Sequence, residues 1–125
     1  MILDTDVLIW FLRDKEKAVQ TVLDAMPFSI SIVTYMELLQ GMRDKNEMST
    51  MKKAFQEMDV RILPIDEEIS EQAAEYVERY ALSNSMEMAD ALIAATCKKW
   101  DETLCTGNDK HYKIVDGLNL QIFRI

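Results

Sequence analysis

A chain that begins Met1-Ile2-Leu3-Asp4-Thr5-Asp6-Val7-Leu8-Ile9-Trp10 is tightly constrained in how it can fold. An apolar run stops at two carboxylates one residue apart, and an apolar segment resumes at once. The simplest reading is a buried strand ending at Asp4, a turn through Thr5 and Asp6, and a helix starting there. A strand this apolar is buried on both faces and is therefore central to its sheet. Open α/β sheets hold ligands beyond the carboxyl ends of their strands, which puts Asp4 in such a crevice. A plainer reading stands beside it: Asp4 or Asp6 merely caps the helix.

The remainder alternates strand and helix. Asp14 is placed to cap a helix over 15–26, with Ala18, Val19, Val22 and Leu23 on one face and Pro27 as its stop. Phe28 to Val33 alternates and is β-branched, so it reads as a strand. Thr34-Tyr35-Met36-Glu37 has the form of a capping box opening a helix that reaches about Arg43. A helix from about Asn46 to Met58 carries a Met48, Met51, Phe55, Met58 stripe, which reads as core or as a partner groove. Arg61 to Ile65 is a strand whose Pro64 suits a sheet edge. Asp66 caps the next helix, Ser83-Asn84-Ser85 breaks it, and another helix runs from Met86 to Trp100. Strands at 103–106 and 120–123 complete the set. Strands separated by helices imply βαβ crossovers, hence a three-layer α/β fold with a mostly parallel central sheet flanked by helices.

With 125 residues, 49% of them hydrophobic, the chain suits one domain over 1–125 that buries about two-thirds of its unfolded surface. A net charge of -8 argues against holding nucleic acid through bulk charge, but not against a nucleic-acid enzyme whose acidic cleft is loaded with metal. No apolar stretch approaches the ~20 residues that span a bilayer. With no secretory leader visible, and with Cys97 and Cys105 in apolar surroundings as buried thiols, a cytoplasmic protein is expected.

Asp90 stands alone in an otherwise apolar helical stretch, Ala89-Asp90-Ala91-Leu92-Ile93-Ala94-Ala95, where a charge is costly unless something pairs with it. Lys98 and Lys99 are two turns away. Glu87 lies on the same face but also fits a capping box with Asn84. Glu37, Asn108 and Asp109 each follow a strand, and each is singly explicable as a cap or turn residue. Together with Asp4 and Asp90, they belong to segments that a parallel sheet brings to one edge. Carboxylates so gathered repel unless a divalent cation neutralises them, and all-oxygen ligation suits Mg²⁺ or Mn²⁺ rather than zinc.

Asp4-Thr5-Asp6-Val7-Leu8-Ile9, Thr34-x-x-Glu37-Leu38, Asp90-Ala91-Leu92-Ile93-Ala94-Ala95 and Thr106-Gly107-Asn108-x-Lys110-His111-Tyr112 resemble, in order and spacing, the four motifs of PIN-domain ribonucleases. The set is most similar to VapC-type toxins of VapBC toxin–antitoxin modules. The resemblance implies Mg²⁺- or Mn²⁺-dependent endonucleolytic cleavage of RNA, homodimerisation, and neutralisation by a cognate VapB-like antitoxin. By position it makes Asp4, Glu37 and Asp90 the catalytic acids, with Asp4 and Asp90 on the metal and Asp6, Thr34, Thr106 and Asn108 in support. Many relatives carry an acid where this chain has Asn108, which leaves the fourth position to Asn108 itself or to Asp109 beside it, the candidate fourth catalytic acid. One carboxylate, Asp90 or Glu37, would orient the attacking water. Arg43, Lys45, Lys110 and His111 are candidate phosphate contacts. Two rivals remain: a haloacid-dehalogenase-type phosphatase using Asp4-x-Asp6, and a non-catalytic RNA- or protein-binding PIN domain.

Overall fold

The computed structural model describes all 125 residues. Five short strands, β1 (Ile2–Leu3), β2 (Ser29–Ser31), β3 (Arg61–Leu63), β4 (Leu104–Thr106) and β5 (Leu120–Ile122), form one all-parallel sheet in the order β3-β2-β1-β4-β5. Seven helices cover it: α1 (Thr5–Leu12), α2 (Glu16–Ala25), α3 (Ile32–Gln40), α4 (Lys45–Glu57), α5 (Glu67–Asn84), α6 (Met88–Trp100) and α7 (Asp109–Tyr112). This is the three-layer α/β architecture expected from the sequence. β1 is the central strand and β3, with Pro64 just past its end, is an edge.

Alternation along the strands accounts for the layering. Ile2 of β1 joins a core with α5 and α6, whereas Leu3 joins the core under α1, α2 and α4. Leu104 and Cys105 of β4 divide in the same way. Strands buried on both faces need two apolar surfaces and have no polar one. No helix is long and apolar enough to cross a membrane.

Several boundaries differ from the sequence reading. No turn separates β1 from α1: Asp4 is the N-cap itself, and Thr5 and Asp6 lie in the first helical turn. Asp14 does not cap α2; it takes a left-handed φ of 58°, and Lys15 holds the cap position. Asp44, not Asn46, opens α4 by accepting from the Glu47 amide. The strand expected over 28–33 stops at Ser31, whose hydroxyl caps α3 through the Val33 amide. Thr34 and Glu37 are therefore inside α3 and form no capping box. α6 begins at Met88 with Glu87 as N-cap, so the expected pairing of Glu87 with Asn84 is absent. Asp90 is in the first turn rather than mid-helix. Its Oδ2 accepts from the Glu87 amide at 3.4 Å, so capping the helix is one of its roles.

The chain leaves β1 toward β2 and β3, then returns to the other side of β1 for β4 and β5. The strand order reverses between β1 and β4, and at such a switch point the loops part to leave a crevice.

Candidate active site

The register of β1 and β4 pairs Ile2 with Leu104 and Leu3 with Cys105, so the next residues, Asp4 and Thr106, end side by side at the crevice. Thr106 donates its hydroxyl to Asp4 Oδ2 at 2.7 Å, and the Thr5 amide donates to Asp4 Oδ1 at 2.8 Å. Capping and site residue are thus not alternatives: Asp4 divides its two oxygens between the helix and the crevice. At 3% exposure this carboxyl is pushed up to about 6 by burial, then by the charge of Asp6, despite those hydrogen bonds.

Asp6 holds the loop after β4. Its Oδ1 accepts from the Val7 amide and its Oδ2 from the Gly107 amide, both at 2.9 Å. Burial raises its pKa, and these bonds oppose the rise. A Cβ at position 107 would stand 2.6 Å from Asp6 Oδ2 and 3.3 Å from the Phe123 carbonyl, so the approach requires glycine. Gly107→Ala is expected to lower stability by about 1–3 kcal/mol, the range for an added methyl in a packed site. Urea denaturation measures this; an unchanged midpoint would mean that the loop simply yields.

Glu37 reaches the crevice from α3. The Thr5 hydroxyl lies 2.7 Å from Glu37 Oε1 and 3.0 Å from Thr34 Oγ1. With one proton to give, Thr5 donates to the carboxylate and accepts from Thr34. The fully buried Thr34 thus positions Glu37 through Thr5, without touching it. Asp90 enters from α6. His111 Nδ1 stands 3.4 Å from its Oδ2, and the Tyr112 hydroxyl donates to its Oδ1 at 3.4 Å. Burial, followed by the charges of Asp4 and Asp90, drives the Tyr112 pKa upward, so the phenol stays a donor.

Asp4, Asp6, Glu37, Glu87 and Asp90 line one cleft of about 200 Å³, together with Thr5, Asn108 and His111. Asn108 lies on this cleft and Asp109 does not: the Asp109 carboxylate is bound by Arg124 at 2.8 Å, which holds it below the usual range. The fourth position on the cleft is therefore the neutral amide rather than the expected acid. Among the candidate phosphate contacts, only His111 lines the cleft. Arg43 pairs with Glu47 at 2.8 Å and lines an adjoining hollow of about 560 Å³ that shares Glu37. Lys45 and Lys110 are exposed. Cys97 and Cys105 are free and buried, and burial pushes their thiols up to about 12 and about 11, so both are inert.

Sequence reasoning missed Thr5, Tyr112 and Arg124. The first had been taken for a turn residue between two acids. A polar-tipped aromatic directly after His111 was the available signal for Tyr112. Arg124, which also donates to the Gly107 carbonyl at 3.1 Å, carried none.

Five carboxylates face this cleft with no Lys or Arg among its lining residues. The carboxylate donors are anionic oxygens, with His111 the one ring nitrogen on the cleft, and a set dominated by carboxylates fits Mg²⁺ or Mn²⁺ in kind. No group of three or more His, Cys, Asp or Glu side chains stands as a ready-made ion cage. An open set of this sort suits a cation that keeps most of its waters.

A family model described as the PIN domain matches residues 1–118. Among solved structures, a toxin–antitoxin complex from Klebsiella pneumoniae is 24% identical with a TM-score of 0.81, covering 99% of this chain and 98% of that one. VapBC2 from Rickettsia felis, bound to a DNA fragment from its promoter, is 16% identical with a TM-score of 0.81 and 98% coverage of both chains. FitAcB from Neisseria gonorrhoeae is 25% identical with a TM-score of 0.71, covering 95% of this chain and 94% of that one. No curated protein matches this chain.

Proposed function

Because this chain belongs to the PIN-domain family, we propose that it is the toxin of a VapBC-type toxin–antitoxin pair, an endoribonuclease using Mg²⁺ or Mn²⁺. The observation that carries the reading is the convergence of Asp4, Glu37 and Asp90 on one cleft at the switch point of the sheet. The likeness to structures solved as toxin–antitoxin and VapBC complexes supports a VapB-like antitoxin as partner, and a homodimeric assembly and a cytoplasmic setting are part of the same proposal.

In this reading Asp4 and Asp90 would hold the metal. When bound, the ion activates water and neutralises charge on the scissile phosphate. Glu37, engaged by Thr5 through Oε1 alone, keeps Oε2 to accept a proton from the attacking water. His111 beside Asp90 offers a ring N–H to a phosphate oxygen, and the Asn108 amide, at the N-cap of the same helix, offers a neutral contact. The phosphatase-type alternative has no support in this geometry, because Asp6 spends both oxygens on the Val7 and Gly107 amides and cannot serve as the proton-donating partner of Asp4.

The purified chain should cleave single-stranded RNA in Mn²⁺, and EDTA should stop it. A co-expressed VapB-like protein should suppress the activity. Asp90→Asn should lower the rate at least about 10²-fold, the usual cost of removing one electrostatic group from a site of this kind. Cleavage that persists in EDTA, or at full rate in the variant, would refute the assignment.

A further inference from the structure

Tyr112 is the largest side chain in the protein that is essentially fully buried, at 1% exposure, and it lies in the core beneath α6. A phenylalanine would fill that core equally well. The hydroxyl is the costly part, because a buried O–H needs an acceptor. Its surroundings offer it carboxylates. Its one hydrogen-bond acceptor is Asp90 Oδ1, 3.4 Å away, and the charge of Asp4 bears on it as well.

The placement is specific. Asp4 caps α1 and Asp90 opens α6, so the two acids ride on separate helices and nothing in the backbone ties one to the other. Thr106 holds Asp4 by Oδ2, and His111 stands at Asp90 Oδ2. His111 and Tyr112, consecutive residues of α7, thus stand at the two oxygens of Asp90.

We infer that the Tyr112 hydroxyl is a positioning residue for the cleft: by donating to Asp90 Oδ1, it fixes the orientation of that carboxylate before any cation arrives. This inference rests on the proposed metal-dependent reading. It assigns Tyr112 no contact with substrate. Its contribution is preorganisation: Asp4 is already held by Thr5 and Thr106, and without the Tyr112 donor the Asp90 carboxylate is free to turn away from that like charge and must be brought back when the ion binds.

Tyr112→Phe removes the hydroxyl alone and keeps the packing. Titration calorimetry with Mn²⁺ on wild type and variant, with thermal unfolding to show that both are folded, tests the idea. The variant should bind Mn²⁺ about tenfold more weakly, as expected for one hydrogen bond to a charged group. Raising Mn²⁺ should then restore its kcat on RNA to within about threefold of wild type, because orientation rather than chemistry was lost. 3-Fluorotyrosine at position 112 keeps the donor and should keep wild-type affinity. Equal affinity in Tyr112→Phe would overturn the inference while leaving the metal reading intact. So would a kcat that stays low at saturating Mn²⁺. A wild-type chain that binds no Mn²⁺ would overturn both.

Discussion

Asp4→Asn should make the protein inactive and, without metal, more stable. Cleavage is expected to fall at least about 10²–10³-fold, the loss typical when one preorganised charge is taken from a catalytic site. The gain in stability has a separate origin. Asp4 is 3% exposed and its pKa is pushed from 3.8 to about 6, which corresponds to roughly 3 kcal/mol of unfavourable burial once the group is ionised. Asparagine removes that charge and keeps Oδ1 for the Thr5 amide, so the cap of α1 survives. It does lose an acceptor for the Thr106 hydroxyl, a bond worth about 1–2 kcal/mol. A net gain of about 1–2 kcal/mol is expected from these opposing effects. Urea denaturation in EDTA at pH 7.5, beside an RNA cleavage assay in Mn²⁺, measures both. A variant that melts below wild type in EDTA would contradict the burial account, and one that cleaves normally would contradict the role of Asp4.

The second large effect is a pH dependence of unusual sign. Most carboxylates in folded proteins are stabilised as anions, so stability falls on acidification. Asp4 is the reverse case, because its folded pKa lies above its unfolded value. The folded state holds the proton more tightly, and the stability this confers is complete below about pH 4. It is lost as the pH climbs from there through about 6, and the loss amounts to at most about 3 kcal/mol. The raised Asp6 acts in the same direction, while the lowered Asp109, bound to Arg124, acts against it. In EDTA the wild-type protein should therefore weaken between pH 4 and 6.5, and Asp4→Asn should flatten the profile. Mn²⁺ at pH 7 should return about 2.7 kcal/mol at a concentration a hundredfold above its dissociation constant, through mass action on the folded state alone. Denaturation midpoints across this range, with and without Mn²⁺, test the prediction. A profile that rises steadily from pH 4 to 6.5 in EDTA would show that the buried Asp4 charge does not govern stability.

The central position of β1 and the carboxylates at the sheet edge could be read from the sequence because each leaves a local trace: an unbroken apolar pair, a charge where apolar spacing demands none, an acid directly after a strand. The junctions were harder. Ile32 and Val33 are β-branched and continue the pattern of β2, but Ser31 ends the strand and its hydroxyl caps the helix, so tertiary position overrode propensity. At α6 the buried Met86 looked like part of the helix face, which hid Glu87 as the true cap and made Asp90 look mid-helical. Thr5 and Arg124 left no trace and Tyr112 only a faint one, because their partners are 29 to 32, 15 to 17 and 22 positions away in the chain. Contacts of that range are set by topology. The side-chain pattern around each residue does not contain them.

β1 sits between β2 and β4, and the bond from Thr106 to Asp4 spans 102 positions in sequence. Ribosomes deliver Asp4 first and Thr106 near the end. Throughout the interval, the emerging polypeptide can pair β1 with β2 and assemble α1 through α4, but one side of its central strand remains open. The crevice has no second wall, Asp4 lacks its Thr106 donor, and Asp6 has no Gly107 amide to hold. A truncated or stalled translation product that stops short of β4 would thus carry Asp4, Glu37 and Asp90 and still lack the strand that completes their cleft. Competence arrives late and all at once, when β4 slides in beside β1, so the cell never meets this cleft in a half-built, partly working form.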